Sequence, residues 1–252
     1  MSPAQPDARE SASAAYLRAL GIEQWVLRGG APPQITPRSL PAVGGRAAGA
    51  ADALTRLKAE VAACVRCGLA KTRTQTVFGV GLEGAEWLVI GEAPGAEEDR
   101  RGEPFVGKAG QLLDAMLRAI GVQRGRNAFI ANILKCRPPG NRDPKPDEVS
   151  ACLPYLSRQI RLLQPRVVLA VGRIAAQNLL GTDAPLGRLR GREHVFGEFN
   201  TPLVVTYHPA YLLRTPADKR KAWDDLKFAR AVFARRAAGA QQADVLLSGS
   251  RP

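Results

Sequence analysis

The sequence lacks the features of several large classes of protein. Its 252 residues contain no uninterrupted apolar run of the roughly 18 residues that suggests a membrane-spanning helix. The opening residues, MSPAQPDARESASAAY, show no basic segment followed by an apolar core, so no secretory signal is indicated. No phosphate-binding P-loop sequence occurs either. We therefore expect a cytoplasmic protein that does not enter a membrane.

Cysteine is scarce in this chain. Four cysteines are too few for a disulfide scaffold, and in a reducing compartment they suggest a metal or redox site. Cys64 and Cys67 form a C-x2-C pair, whereas Cys136 and Cys152 are distant in sequence and would have to be brought in by the fold. The spacing favours a four-cysteine metal site, but it leaves zinc and an iron–sulfur cluster open. Cys152 is also compatible with a buried core thiol.

Acidic residues are outnumbered by basic ones. The chain has 36 lysines and arginines against 23 aspartates and glutamates, a formal net charge of +13 at pH 7. This balance favours an anionic partner, of which nucleic acid is the commonest. In the stretch HPAYLLR, the apolar residues Tyr211, Leu212 and Leu213 precede Arg214. DNA-binding proteins insert such apolar wedges between bases, although packing at the start of the last helix would explain the same pattern.

Buried strands and amphipathic helices alternate along the central part of the chain. Four apolar runs suit buried strands: Glu86–Gly91, Ala128–Leu134, Arg166–Gly172 and Pro202–Pro209. The alternation predicts an α/β fold, a three-layer sandwich with a central, mostly parallel four-stranded sheet flanked by helices. Composition further predicts a mostly disordered extension over residues 1–50 with a possible short helix, a folded domain over 51–236 and a flexible tail over 237–252.

Polar residues stand at the ends of three predicted strands. Glu92 follows the first strand, Asn132 lies near the end of the second, and His208 closes the fourth. Ligands of open parallel sheets bind beyond the carboxyl ends of the strands, so we expect these residues to converge on one site. The stretch GEAPGAEEDRRGEPFVGKAG brings further acids and an exposed-looking Phe105 to the same edge.

Three segments of the chain resemble the family 4 uracil-DNA glycosylases, the iron–sulfur-containing branch of their superfamily. They are GEAPGAEEDRRGEPFVGKAGQLLD, NILKCRPPGNRDPKPDEVSACLPYL and YHPAYLLR. The resemblance runs from about Cys64 to about Phe233. It implies an enzyme that flips deoxyuridine out of DNA, hydrolyses its N-glycosidic bond and leaves an abasic site, without a lyase step. It also implies a monomer that works on uracil-containing DNA in the nucleoid.

The resemblance implies a cofactor and a set of base-binding residues. A [4Fe-4S] cluster would be held by Cys64, Cys67, Cys136 and Cys152. Phe105 would stack on the uracil ring, Asn132 would hydrogen-bond its O4 and N3 edge, and backbone amides near Ala93 would help to hold the base. His208, as a neutral donor, would stabilise the charge that builds on uracil O2 as the bond breaks.

Four acids compete for the role of activating water or stabilising the sugar. We favour Glu92, because it sits directly at a strand end, and place Glu98 second. Glu98 is also a candidate for the steric block that excludes the methyl group of thymine. Glu97 and Asp99 are candidates for structural caps.

DNA contacts are expected from the HPAYLLR stretch, residues 211–214, and from Arg137 and Arg142. A close relative of this family carries a basic insert that ends in histidine and traps DNA covalently through it. No histidine occurs in the opening loop or in the stretch from Asn132 through RPPGNRDPKP, so we expect turnover rather than trapping. The alternatives are a non-catalytic iron–sulfur DNA-binding protein, a glycosylase for another deaminated base, or a hydrolase whose acids hold magnesium. A protein partner for residues 1–50 is compatible with each of these.

Overall fold

The computed structural model describes residues 47–197 and 200–248, which belong to one compact unit, Val43–Pro252. The disorder and short helix predicted for the N-terminal extension fall almost entirely outside the described residues. The helices longer than three residues are α1 (Ala47–Ala62), a 3-10 turn (Gly68–Lys71), α2 (Ala96–Arg101), α3 (Lys108–Ala119), α4 (Pro146–Leu163), α5 (Arg173–Leu180), α6 (Leu186–Leu189), α7 (Pro209–Arg214) and α8 (Lys219–Ser248). The strands are β1 (Trp87–Gly91), β2 (Ala128–Asn132), β3 (Val167–Val171), β4 (His194–Phe196) and β5 (Thr201–Thr206).

The sheet has the order β2-β1-β3-β5-β4. The first four strands pair in parallel, which confirms the predicted α/β fold and its mostly parallel sheet. The predicted number of strands is wrong, because the antiparallel strand β4 pairs with β5 at one edge as a fifth member. His194, which opens β4, donates from Nε2 to the Leu189 carbonyl at 2.7 Å and so has a structural role.

Two apolar clusters cover the two faces of the sheet and make the three layers. Because side chains alternate along a strand, Leu88 and Ile90 of β1 join one cluster while Trp87 and Val89 join the other. Helices α1, α4 and α5 cover the first face, and α3, α7 and α8 cover the second. All residues of β1, β2, β3 and β5 are buried, which explains why their sequences read as continuous apolar runs.

Helix ends follow the local chemistry of the chain. Helix α4 begins with Pro146 at its first position, and the Glu148 carboxylate accepts the Lys145 amide at 2.9 Å in a capping arrangement. Helix α5 ends at Gly181, which adopts the left-handed conformation at φ 61°. Helix α8 continues to Ser248, so residues 237–248 are helical where composition indicated a flexible tail.

Candidate active site

A cleft of about 490 Å³ opens at the carboxyl ends of the parallel strands. Each residue that the sequence placed in catalysis or uracil binding lines this cleft: Glu92, Ala93, Glu98, Phe105, Asn132 and His208. As expected from their places at the strand ends, the fold brings together side chains that are more than a hundred residues apart in sequence. The volume lies in the range of small-ligand sites.

Asn132 is the last residue of β2 and presents an unpaired polar atom to the cleft. Its side chain is buried, with the residue 2% exposed, and Oδ1 has no hydrogen-bond partner among the described residues. A Cβ on the neighbouring Gly91 would lie 2.4 Å from this oxygen and 2.6 Å from Cζ of Phe105. Only glycine therefore lets the Asn132 amide and the Phe105 ring approach one another here. An unsatisfied buried acceptor costs about 1–3 kcal/mol, which a ligand donor can recover.

Phe105 is held by its backbone in an uncommon conformation. Its φ is 55°, and the residue is 7% exposed rather than exposed as its sequence context suggested. The Arg124 guanidinium donates to the carbonyls of Pro104 at 2.7 Å and Phe105 at 3.0 Å. The same guanidinium pairs with Asp114 at 3.1 Å and Glu103 at 3.2 Å. These contacts fix the loop and hence the direction of the ring, as left-handed backbone at a bulky residue requires.

His208 enters the cleft as a neutral hydrogen-bond donor. Nδ1 accepts the Ala210 amide at 3.1 Å, so the proton of the neutral ring is assigned to Nε2. Burial lowers the pKa of His208 to about 4, and the charge of Arg214 adds to that shift. The ring centroid lies 5.6 Å from that of Phe105. Gly172, at φ 100°, keeps this packing open, because a Cβ there would lie 2.9 Å from Cβ of His208.

Glu92 has the electrostatics of a general base that works near neutral pH. Burial, together with the charge of Asp143 and against the opposing charge of Arg173, raises the pKa of its carboxyl to about 7. Asp143 and Arg173 form an ion pair of 3.0 Å beside it. The Glu92 carbonyl accepts the Leu134 amide at 3.0 Å, which ties the residue to the chain beyond β2. A carboxylate with such a pKa accepts protons more strongly than an exposed one.

The remaining acids of the opening stretch divide between the cleft and the scaffold. Glu98 lines the cleft and accepts the Val106 amide at 3.2 Å. Asp99 is 4% exposed and accepts the backbone amide of Thr74 at 3.0 Å, so it anchors a separate loop. Glu97 is exposed and pairs with Arg100. Of these four acids, only Glu92 and Glu98 are in reach of a ligand in the cleft.

Helix α7 presents a smaller wedge than the sequence suggested. Leu212 is 1% exposed and packs in the core, so its predicted DNA contact is wrong; the helical phase turns it inward. Leu213 is 44% exposed, and Arg214 is exposed beside it. Tyr211 stacks on Tyr207 with ring centroids 5.1 Å apart, which holds it against the chain that follows β5.

Arg137 and Arg142, the predicted DNA contacts outside α7, are both engaged within the protein. Arg142 makes a two-pronged pair with Glu148, at 2.9 and 2.5 Å, and lines the cleft. Arg137 donates to Asn141 Oδ1 at 2.8 Å. Glu148 compensates the charge of Arg142, so less of that charge is left for a DNA phosphate. The DNA contacts of Arg142 and Arg137 stay predictions.

The four cysteines line one separate cavity. Cys64 and Cys67 come from the loop after α1, Cys136 from the chain beyond β2, and Cys152 from α4. Arg73 donates to Cys136 Sγ at 3.3 Å, and the Lys135 amide donates to Cys152 Sγ at 3.2 Å. Burial raises the pKa of the Cys152 thiol to about 11. Within the described ranges, no three cysteine, histidine or acidic side chains converge as a single metal ion requires.

Comparison with known proteins places this geometry in a family. Residues 78–227 match the family model described as the uracil DNA glycosylase superfamily. The chain belongs to this superfamily. It is 42% identical over 182 residues to the type-4 uracil-DNA glycosylase of Archaeoglobus fulgidus, covering 70% of this chain and 91% of the relative.

Two further relatives of the superfamily carry the same description. The type-4 uracil-DNA glycosylase of Pyrobaculum aerophilum is 44% identical over 179 residues, covering 69% of this chain and 91% of the relative. That of Sulfurisphaera tokodaii is 40% identical over 183 residues, covering 70% of this chain and 83% of the relative. These comparisons confirm the family that the three sequence segments indicated.

Sequence reasoning missed the residues that support the site of this superfamily member. Arg124 holds the Phe105 loop through a backbone carbonyl, and Arg173 forms an ion pair with Asp143. Lys135 holds the Asn132 carbonyl through its ammonium. Each is a basic residue in a chain rich in them, so only spatial proximity distinguishes it from a surface cation. Separately, a search of the described helices finds none with the length and apolar content to cross a membrane.

Proposed function

We propose that this chain is a uracil-DNA glycosylase of the type-4 kind, which hydrolyses the bond between deoxyribose and uracil in DNA. The observation that carries the proposal is the unpaired Asn132 oxygen, buried in a cleft that an aromatic ring and a neutral histidine donor also line. Membership of the superfamily and three type-4 relatives support the same conclusion.

Asn132 would distinguish uracil from cytosine by hydrogen bonding. Oδ1 would accept the N3–H of uracil, and the amide nitrogen would donate to O4. Cytosine presents an acceptor at N3 and a donor at its exocyclic amine, so both interactions would be reversed. Phe105 would stack on the flipped base, and the backbone near Ala93 would hold its edge. Thymine matches the hydrogen bonds, so its exclusion requires a clash at the methyl group, which we assign to Glu98.

The proposed reaction uses one acid and one neutral donor. As the C1′–N1 bond breaks, its electron pair leaves with uracil and spreads onto O2, where His208 Nε2–H donates a hydrogen bond. Glu92 takes a proton from the water that forms the new C1′–O bond, and it faces the positive charge developing on the sugar. The uracil anion then takes up a proton from solvent and Glu92 returns its proton there, so the products are free uracil and an abasic site. The reaction has no step that requires a free divalent ion.

The cysteine cavity suits a [4Fe-4S] cluster in two respects. Its ligands come from three separate parts of the chain, as a large group allows. Two of its sulfurs receive N–H donors, an interaction that stabilises thiolates and tunes iron–sulfur clusters. When bound, the cluster would cross-link the loop after α1, the chain beyond β2 and helix α4.

Exposed Leu213 and Arg214 are the proposed contacts with distorted DNA, Leu213 filling the space that the flipped nucleotide leaves. The substrate would place the enzyme with the nucleoid in the cytoplasm. A monomeric state and a protein partner for residues 1–50 stay predictions.

The decisive experiment uses full-length protein, EDTA and a labelled oligonucleotide carrying one uracil, followed by alkaline cleavage of abasic sites. We expect cleavage at uracil, none at thymine in a matched oligonucleotide, and loss of cleavage in Asn132→Ala. The control is Asn178→Ala, which removes an amide that donates to the Ile174 carbonyl of α5 at 2.8 Å, away from the cleft, and should stay active.

Each alternative function gives a different result in this assay. A non-catalytic DNA-binding protein would retain the oligonucleotide without releasing the base. A magnesium-dependent hydrolase would act only when EDTA is replaced by the metal. A glycosylase for another deaminated base would cleave an oligonucleotide carrying hypoxanthine or xanthine and spare uracil.

A further inference from the structure

Lys135 is buried between the cysteine cavity and the chain that carries Asn132. It is 1% exposed, although lysine is among the residue types least often buried. Its ammonium Nζ donates to the Asn132 carbonyl at 2.8 Å, and its backbone amide donates to Cys152 Sγ at 3.2 Å. Lys135 is one of the residues that line the cavity of the four cysteines, and Cys136 is its neighbour in sequence.

A buried ammonium needs a compensating negative charge. Within the described part of the chain, no acidic side chain forms an ion pair with Lys135, and the Asn132 carbonyl offers only a dipole. The groups of the cavity that can carry negative charge are the cysteine sulfurs, which become thiolates when they hold a metal cluster. Cys152 is the sulfur that Lys135 contacts directly, since its Sγ accepts the Lys135 amide at 3.2 Å.

The other end of this contact leads directly to the cleft. The carbonyl that Lys135 holds belongs to the residue whose side chain would read uracil. Between them, the Ile133 amide donates to the Gly91 carbonyl at 3.0 Å, and the Leu134 amide donates to the Glu92 carbonyl at 3.0 Å. Residues 132–136 therefore form one hydrogen-bonded segment that begins in the cleft and ends in the cysteine cavity.

We propose that Lys135 is a positioning residue whose ammonium links the Asn132 carbonyl to the thiolates of the cysteine cavity. The position of the uracil-reading amide then depends on the cluster, and occupation of the cleft in turn stabilises the cluster, since such coupling is reciprocal. This inference rests on the proposed function and names a residue to which that function gives no role.

The test compares Lys135→Met, which keeps length and removes charge and donors, with Lys71→Met as control. Lys71 ends the exposed 3-10 turn beside Cys67 and receives the same chemical change. In holoenzyme challenged with chelator, we expect Lys135→Met to lose iron and visible absorbance about 10–100-fold faster than wild type. On uracil-containing DNA, we expect kcat/KM to fall about 10–100-fold, mostly in kcat, because phosphate contacts that set DNA affinity remain. Lys71→Met should match wild type in both measurements.

Wild-type cluster retention and kcat/KM in a folded Lys135→Met protein would overturn the proposal. If that variant does not fold, the wild-type holoenzyme still decides. DNA carrying an uncleavable 2′-fluorodeoxyuridine should slow its cluster loss several-fold relative to the same DNA carrying thymidine, and equal rates would refute the link. A wild type that retains its cluster but releases no uracil would instead refute the proposed function. The chelator comparison of Lys135→Met and Lys71→Met would then still test the contact with the thiolates.

Discussion

Replacing Gly91 by alanine tests the geometry of the cleft with a single added methyl group. The new Cβ would lie 2.4 Å from Asn132 Oδ1 and 2.6 Å from Phe105 Cζ, closer than atoms pack. Gly91 ends β1 without a positive φ, so the perturbation is steric and not conformational. The Asn132 amide and the Phe105 ring would both have to move away from the new methyl group.

The size of the effect follows from the two displacements. Overpacking a core position costs about 1–3 kcal/mol, which for a chain of this size lowers Tm by roughly 2–4 °C for each kcal/mol. A displacement of about 1 Å in a positioning group lowers the rate about 100-fold. We therefore expect Gly91→Ala to remain folded at 25 °C while its kcat/KM for uracil excision falls about 100-fold.

The assay measures uracil release in single turnover at 25 °C, with Tm from circular dichroism recorded on the same preparation. Gly187→Ala in α6 is the control, because a Cβ there meets no atom within 4 Å and the backbone is not strained. Full activity in Gly91→Ala would mean that Asn132 and Phe105 do not read the base together, and the proposed pocket would have to be abandoned.

Three further predictions concern the acid, the wedge and the loop support. Because burial and Asp143 hold the pKa of Glu92 near 7 and the base must be ionised, kcat/KM should rise with pH to a plateau above pH 7. Asp143→Asn removes a raising charge and should shift the midpoint of that profile to lower pH; an unshifted profile would count against Glu92 as the base. Leu212→Ala should lose about 2–5 kcal/mol of stability in urea unfolding. Leu213→Ala should keep its stability and lose activity more on duplex than on single-stranded DNA, where no base pair has to be opened. Arg124→Met should lower the free energy of unfolding by about 1–3 kcal/mol, because two carbonyls lose a charged donor. The uracil excision rate of this variant should fall, because the Phe105 ring loses its fixed direction. An unaltered rate would show that the loop needs no such support.

The main strands and the ligand edge could be predicted from the sequence, because strands buried on both faces must be apolar throughout. Such strands end at or just before Glu92, Asn132 and His208. Because the carboxyl ends of parallel strands meet at one edge of the sheet, the convergence of these residues could be predicted. Strand β4 escaped prediction because it has three residues, is partly exposed and depends on a pairing with β5 that leaves no local pattern.

The orientation of individual side chains was harder to predict from the sequence than the strands were. Leu212 and Leu213 are equally apolar, and only the packing of α7 against the sheet decides which one is buried. Arg142 and Lys135 read as surface cations, yet one is neutralised by Glu148 and the other is enclosed. These outcomes depend on contacts made after folding and not on periodicity.

The unpaired oxygen of Asn132 also has a consequence for how this protein could be engineered. A scaffold optimised for thermal resistance alone would replace the amide by a side chain of similar volume without polar atoms, such as leucine, and recover about 1–3 kcal/mol. Stability-guided redesign would therefore be drawn to a position whose unpaired acceptor destabilises the empty protein and, in the proposed function, binds uracil in the occupied one. Thermal stability and activity therefore place opposing demands on this single residue.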